Sequence, residues 1–172
     1  ATGNMERNQK NILLMSMFDQ ILDIVYTEKI REDEGGTYGV YTQGGISRYP
    51  QGQSTLQIVY DTDPAKMESL NAIIHRELKS IADDGPRAED FSKVKEYMLK
   101  QYNENLKENN YWMNVLDTNY FYGEDNHSNY LTLLNSITAN DVKNFVKEFL
   151  SQGNEAVPFD CKLDIFPSGS RR

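Results

Sequence analysis

Apolar residues recur along this chain with two different periods, and the switches between them divide it into elements. Ile12, Met15, Phe18, Leu22 and Val25 fall three or four residues apart, one stripe on a 3.6-residue period that predicts a helix from about Gln9 to Asp33. A helix of that length is expected to cross the face of a whole sheet. Gly35 and Gly36 end it, because glycine accepts the left-handed backbone of a C-terminal cap. From Thr37 to Thr42 the period is two, with Tyr38, Val40 and Thr42 on one face and Gly39 and Tyr41 on the other. Gly44-Gly45 and Pro50-Gln51-Gly52 mark a turn, and Ser54 to Asp61 alternates again, so an antiparallel hairpin is expected.

The rest of the pattern is mostly helical. Asp63-Pro64 reads as an N-cap followed by proline at the first helical position, opening a helix with Met67, Leu70, Ile74, Leu78 and Ile81 on one face. It stops at Gly85-Pro86. Ala88 to about Glu108 carries Phe91, Val94, Met98, Tyr102 and Leu106; Asn109-Asn110 interrupts, and Trp112, Val115, Leu116 and Tyr120 lead to a stop at Tyr122-Gly123. A short helix at Leu131–Ser136 precedes a capping-box variant, Thr138-Ala139-Asn140-Asp141, that opens a helix with Val142, Phe145, Val146 and Phe149. Cys161 to Phe166 alternates and predicts a third strand, whereas residues 1 to 8 are polar and read as a frayed lead-in.

Strands and helices that segregate in this way imply an α+β fold, with helices packed on one face of an antiparallel or mixed sheet. The 172 residues amount to a single domain. Three strands are few for so many helices, so we expect strands from sequence before Ala1, or from a partner chain, to complete the sheet.

Charge narrows the partners. The 26 acidic and 18 basic residues leave a formal charge of -8, and no dense basic block precedes Arg171-Arg172, which argues against nucleic acid or an anionic membrane. Apolar runs such as Ile21 to Tyr26 are too short to span a bilayer. The single cysteine, Cys161, excludes an internal disulfide and a multi-cysteine metal site.

Candidate chemistry is sparse. The two histidines, His75 and His127, are far apart, and His75-Arg76-Glu77 has no second histidine at metal-ligand spacing. His75 reads as a partly exposed helix residue and His127 as part of a polar loop. Asp61-Thr62-Asp63 supplies too few oxygens for a calcium loop and is better explained as helix capping. The informative stretch is Lys29 to Val40, where Arg31 leaves the last helical turn and Tyr38 the first residues of a strand. A guanidinium and a phenol at one tight turn can donate to the same carbonyl oxygen; equally, Arg31 can complement the helix dipole while Tyr38 fills the sheet.

The order of these landmarks resembles the C-terminal domains of pitrilysin-type zinc metallopeptidases, the inverted-zinc family that includes insulin-degrading enzyme and the mitochondrial processing peptidase. The resemblance rests on Ile30-Arg31-Glu32 followed by Gly35-Gly36-Thr37-Tyr38-Gly39-Val40, on Asp61-Thr62-Asp63-Pro64 before a helix, and on Gly85-Pro86 with Glu89-Asp90-Phe91, Lys93 and Lys95. Glu108-Asn109-Asn110-Tyr111-Trp112 and Ile137-Thr138-Ala139-Asn140-Asp141-Val142 continue it, over roughly residues 12 to 166. It implies a clamshell of two halves around a peptide substrate, one half holding zinc through H-x-x-E-H. Residues matching Arg31 and Tyr38 would reach across from the other half to the substrate backbone near the scissile carbonyl. This sequence has no zinc helix. The expectation is therefore a zinc-free, substrate-binding C-terminal part that is inactive alone, binds no metal itself, and works with a catalytic zinc domain of the same chain or of a partner subunit. The alternative implied by the same resemblance is a non-catalytic scaffold subunit. Bacterial relatives are often periplasmic, which makes the periplasm the expected compartment.

Overall fold

A computed structural model describes residues 1–34 and 40–156, with the side chains of residues 31–34 left aside. The chain order is β1 (Thr2–Asn4), α1 (Gln9–Glu34), β2 (Val40–Ile46), β3 (Gln53–Tyr60), α2 (Met67–Asp84), α3 (Ala88–Asn105), α4 (Asn109–Tyr122), α5 (Tyr130–Ser136) and α6 (Ala139–Ser151). The three strands form one antiparallel sheet in the order β1-β3-β2. The α+β class and the hairpin follow the sequence pattern, but Gly44 and Gly45, expected in the turn, lie within β2 opposite Leu56 and Thr55, because the ladder continues to Ile46; the expected strand at Cys161–Phe166 lies outside the described residues.

Helix α1 is the spine. Of the anticipated stripe, Met15, Phe18, Leu22 and Val25 are buried and Ile12 is half-buried, but Leu13, Leu14, Met17, Ile21, Tyr26 and Ile30 are buried as well. A helix that is apolar on most sides belongs inside the domain. One side of α1 lies on β2, and α2, α3, α5 and α6 pack against the rest. The strands alternate accordingly: Thr42, Ile46, Ser54 and Leu56 are buried, whereas Tyr41, Gln43, Gln57 and Val59 face solvent. All helices therefore lie on one face of the sheet. β2 comes close to the spine, since a Cβ on Gly44 would lie 2.9 Å from Met15 Sδ.

The first residues correct the expectation of a frayed lead-in. Thr2, Gly3 and Asn4 pair with Thr55, Ser54 and Gln53, and Thr2 N donates to Asn154 O at 2.8 Å. Asn4 N donates to Gln152 Oε1 at 2.6 Å, and Met5 is buried. Three polar residues show no alternation, so the strand exists because its partners' backbone groups require it. Gly52 closes the hairpin turn at φ 76, and a Cβ there would meet Met5 O at 2.8 Å.

The caps at Asp63, Gly85 and Thr138 match their sequence signals, whereas the expected stop at Gly35-Gly36 lies outside the described residues. Asp63 accepts from Ala65 N, but the element it opens is a single 3-10 turn, Pro64–Lys66, that leads into α2. The capping box at α6 is complete: Thr138 N donates to Asp141 Oδ2 at 2.9 Å and Asp141 N to Thr138 Oγ1 at 3.2 Å. Lys10 Nζ, from the first turn of α1, reaches Asp141 Oδ1 at 2.8 Å.

Two outcomes follow from this arrangement. Gly52→Ala forces a left-handed residue against a backbone oxygen and should cost about 1–3 kcal/mol in urea unfolding; an unchanged midpoint would contradict the turn geometry. The Lys10 hydrogen bond, followed by that of Thr138, lowers the Asp141 pKa to about 2. Its contribution to stability is therefore present above the ordinary carboxylate range near pH 4 and is lost as pH falls toward 2. Asp141→Asn should flatten the pH dependence of the melting temperature between pH 4 and 2, and an unaltered slope would argue against this coupling.

Candidate functional site

The two residues singled out by sequence are Arg31 and Tyr38. Arg31 is in the last turn of α1, three residues before its end at Glu34, and β2 starts at Val40. Tyr38 lies outside the described residues, and of Arg31 only the backbone position is described. Around them the frame is well defined. Val40 pairs with Tyr60, the last residue of β3, and Tyr60 Oη donates to Asn71 Oδ1 of α2 at 2.6 Å. Ile30 is buried. Tyr26, fully enclosed in the core, donates to Ile74 O at 3.3 Å.

An ionic brace holds this end of α1. Glu28, three residues before Arg31, accepts from Arg87 Nη1 at 3.0 Å and also from Arg87 Nη2. Arg87 Nε donates to Asp90 Oδ2 at 2.5 Å. Asp90 sits in the first turn of α3 and is 2% exposed, where the helix N-terminus also favours a carboxylate. The bidentate hydrogen bond from Arg87 holds the Glu28 carboxyl below its usual range. One guanidinium thus joins the end of α1 to the start of α3. The Arg87-Asp90 spacing was visible in the sequence, but Glu28 and Arg87 are 59 positions apart and no local pattern connects them.

Elsewhere the structure gathers His127, expected in a polar loop, with aromatic side chains of three helices. His127 Nδ1 is 2.8 Å from Tyr111 Oη, and its ring lies 4.8 Å from Trp112 and 6.0 Å from Tyr102. Tyr102 stacks on Tyr130 at 4.7 Å. Asp125 Oδ1 accepts from the backbone of His127 and of Ser128, both at 2.9 Å. Hydrogen bonds from Ser128, with that of His127 N, bring the Asp125 carboxyl down to about 2. His127 therefore belongs to a knot that ties α3, α4 and α5 together rather than to an open polar loop. A second tie fixes the end of α4: Glu124 accepts from Arg48 Nε at 3.1 Å and Nη2 at 2.9 Å, and from Arg7 Nη2 at 3.0 Å. Arg48 also covers the Tyr122 ring at 3.6 Å. His75 is half exposed, with Nδ1 3.4 Å from Glu155.

Among the described residues there is no group of three or more His, Cys, Asp or Glu side chains that could hold a metal ion. The charged groups that do converge, Arg87 with Glu28 and Asp90, and Glu124 with Arg48 and Arg7, brace helices.

An α+β domain with its helices on one face of an antiparallel sheet, and with an arginine in the last turn of its spine, is the zinc-free class of domain that the sequence landmarks resemble. The chain belongs to the family described as the peptidase M16 inactive domain, whose model matches residues 2–98. Its fold is similar to that of the periplasmic protease PqqL from Escherichia coli, with a TM-score of 0.73 and 16% identity over 87% of this chain and 17% of that one. It is also similar to a peptidase M16 inactive domain from Pseudomonas fluorescens, with a TM-score of 0.67 and 19% identity over 86% of this chain and 36% of that one. A mutant of the ferredoxin protease FusC, solved in complex with Arabidopsis ferredoxin, matches with a TM-score of 0.72 and 13% identity over 86% of this chain and 16% of that one. The chain thus spans about a sixth to about a third of the solved chains it resembles. No curated protein sequence matches it significantly.

The brace predicts a specific failure. Arg87→Ala leaves Asp90 buried without its guanidinium and should cost roughly 2–3 kcal/mol, with faster amide exchange through the last two turns of α1. Glu28→Gln keeps Asp90 paired and should cost less. Equal losses for the two variants would show that the brace is not anchored at Asp90.

Proposed function

We propose that this chain is the zinc-free, substrate-binding part of a pitrilysin-type zinc metalloendopeptidase, in which Arg31 and Tyr38 bind the backbone of a peptide substrate. The observation that carries the reading is the position of Arg31: it lies in the last turn of α1, one turn beyond the residue that Arg87 braces, within the segment that matches the inactive-domain family. A rigid helix end is a suitable mount for a side chain that must meet a substrate at fixed distance. FusC, in its complex with ferredoxin, supports a protein or peptide as the class of substrate.

In this reading zinc would be held by another domain of the intact peptidase, of the same chain or a partner subunit, where it would activate the water that attacks the peptide bond. The residues of this chain bind and orient. The Arg31 guanidinium and the Tyr38 hydroxyl donate to the scissile carbonyl oxygen or its neighbour, and their hydrogen bonds strengthen as that oxygen gains negative charge. Arg31 remains protonated throughout, so it contributes charge rather than a transferable proton.

In the intact peptidase, Arg31→Ala and Tyr38→Phe should each lower kcat for a quenched unstructured peptide by about 10²–10³-fold, equivalent to roughly 2.7–4 kcal/mol of transition-state stabilisation, with an unchanged melting temperature. Unaltered turnover in both variants would overturn the proposal and favour a scaffold role for the domain.

A further inference from the structure

One carboxyl sits inside the contact between the spine and the sheet. Asp19 lies in the first half of α1, on the side that β2 covers: a Cβ on Gly44 would come within 3.5 Å of Asp19 Cβ, and Thr42 Oγ1 donates to Asp19 O at 3.2 Å. Its Oδ1 is shut off from water within this chain and has no hydrogen-bond partner among the described residues. An ionised carboxylate can only accept, and an acceptor buried without a donor is costly. The Thr42 hydroxyl does not relieve it, because its one proton is committed to the backbone oxygen of Asp19. Buried polar atoms without partners are uncommon in folded proteins, so this one calls for a physical reason.

The charges around Asp19 do not compensate. Asp23, one turn further along α1, repels a second negative charge. β2 brings no cation: from Val40 to Ile46 its one titratable residue is Tyr41, which is 60% exposed on the opposite face. Burial, opposed by the polar groups of Thr42 and Gly44, pushes the Asp19 carboxyl above its ordinary range. A proton removes the difficulty. The neutral acid carries an O–H donor, and the Thr42 hydroxyl, within hydrogen-bonding reach of it, has lone pairs to accept that hydrogen.

We propose that Asp19 is a proton switch in the contact between α1 and β2: the neutral acid clamps the strand to the spine, and ionisation loosens it. This role is independent of those of Arg31 and Tyr38. The folded chain binds the proton more tightly than the unfolded one, so the contribution of Asp19 to stability is complete below the ordinary carboxylate range near pH 4 and is lost as pH rises above it. Asp141 has the opposite sign, since its contribution fades below that range, and the two effects are therefore separated by pH.

Native-state amide exchange of the 172-residue protein tests the switch when expressed as protection factors, from which the intrinsic pH dependence of exchange is removed. Protection of residues 40–46 should fall as pH rises from about 4 to about 7, and more than protection in α3. Asp19→Asn, whose amide donates where the neutral acid does, should hold that protection at its acidic level and raise the melting temperature at about pH 7 but not at about pH 4. The carbon-13 signal of the Asp19 carboxyl in the unsubstituted protein reports the proton directly, and its titration midpoint should lie above the ordinary aspartate value of about 4. A midpoint at or below that value would overturn the proposal. So would an Asp19→Asn protein in which the protection of β2 still falls with pH.

Discussion

Helix α1 has almost no side to give to water, and that constraint fixes the placement of nearly every other element. Its apolar side chains, among them Leu13, Met17, Phe18, Ile21, Leu22 and Tyr26, are buried on successive faces, so a sheet covers one side and a layer of helices the others. Removing a large side chain such as Phe18 or Leu22 from water contributes about 1.5–3 kcal/mol, and no other element concentrates so many of them. The sheet needs only one apolar face, which leaves Tyr41 and Val59 outside. The polar ties lie around this spine: Lys10 to Asp141 at its start, Glu28 to Arg87 near its end. The spine also carries the backbone of Arg31 in its last turn.

Much of this was legible in the sequence because the relevant signals are local. The period-two runs mark β2 and β3, Asp63 and Thr138 cap where their spacing says, and Gly85 ends α2. Periodicity understated α1: a stripe identifies one face, and a second buried face emerges only when other helices arrive. β1 escaped notice for the opposite reason, since Thr2-Gly3-Asn4 has no pattern and is a strand only because β3 and Asn154 supply its hydrogen bonds. His127 was read as loop because its aromatic neighbours come from three separate helices.

Helix α4 shows where periodicity misleads. The spacing of Trp112, Leu116 and Tyr120 gives the signal of a core face, yet all three side chains are exposed. In the same way the ordered set of landmarks from Ile30-Arg31-Glu32 to Val142 pointed to the family, while the pairing of Glu28 with Arg87 is a long-range contact outside any motif.

The central claim is that a substrate peptide touches this domain at the α1–β2 junction, and photocrosslinking tests it most directly. A peptide substrate with benzoylphenylalanine beside the scissile position, bound to an inactivated intact peptidase, should crosslink within residues 31–40 of this domain, and Arg31→Ala should weaken the signal. Crosslinks confined to other domains, with none in that segment, would contradict the account.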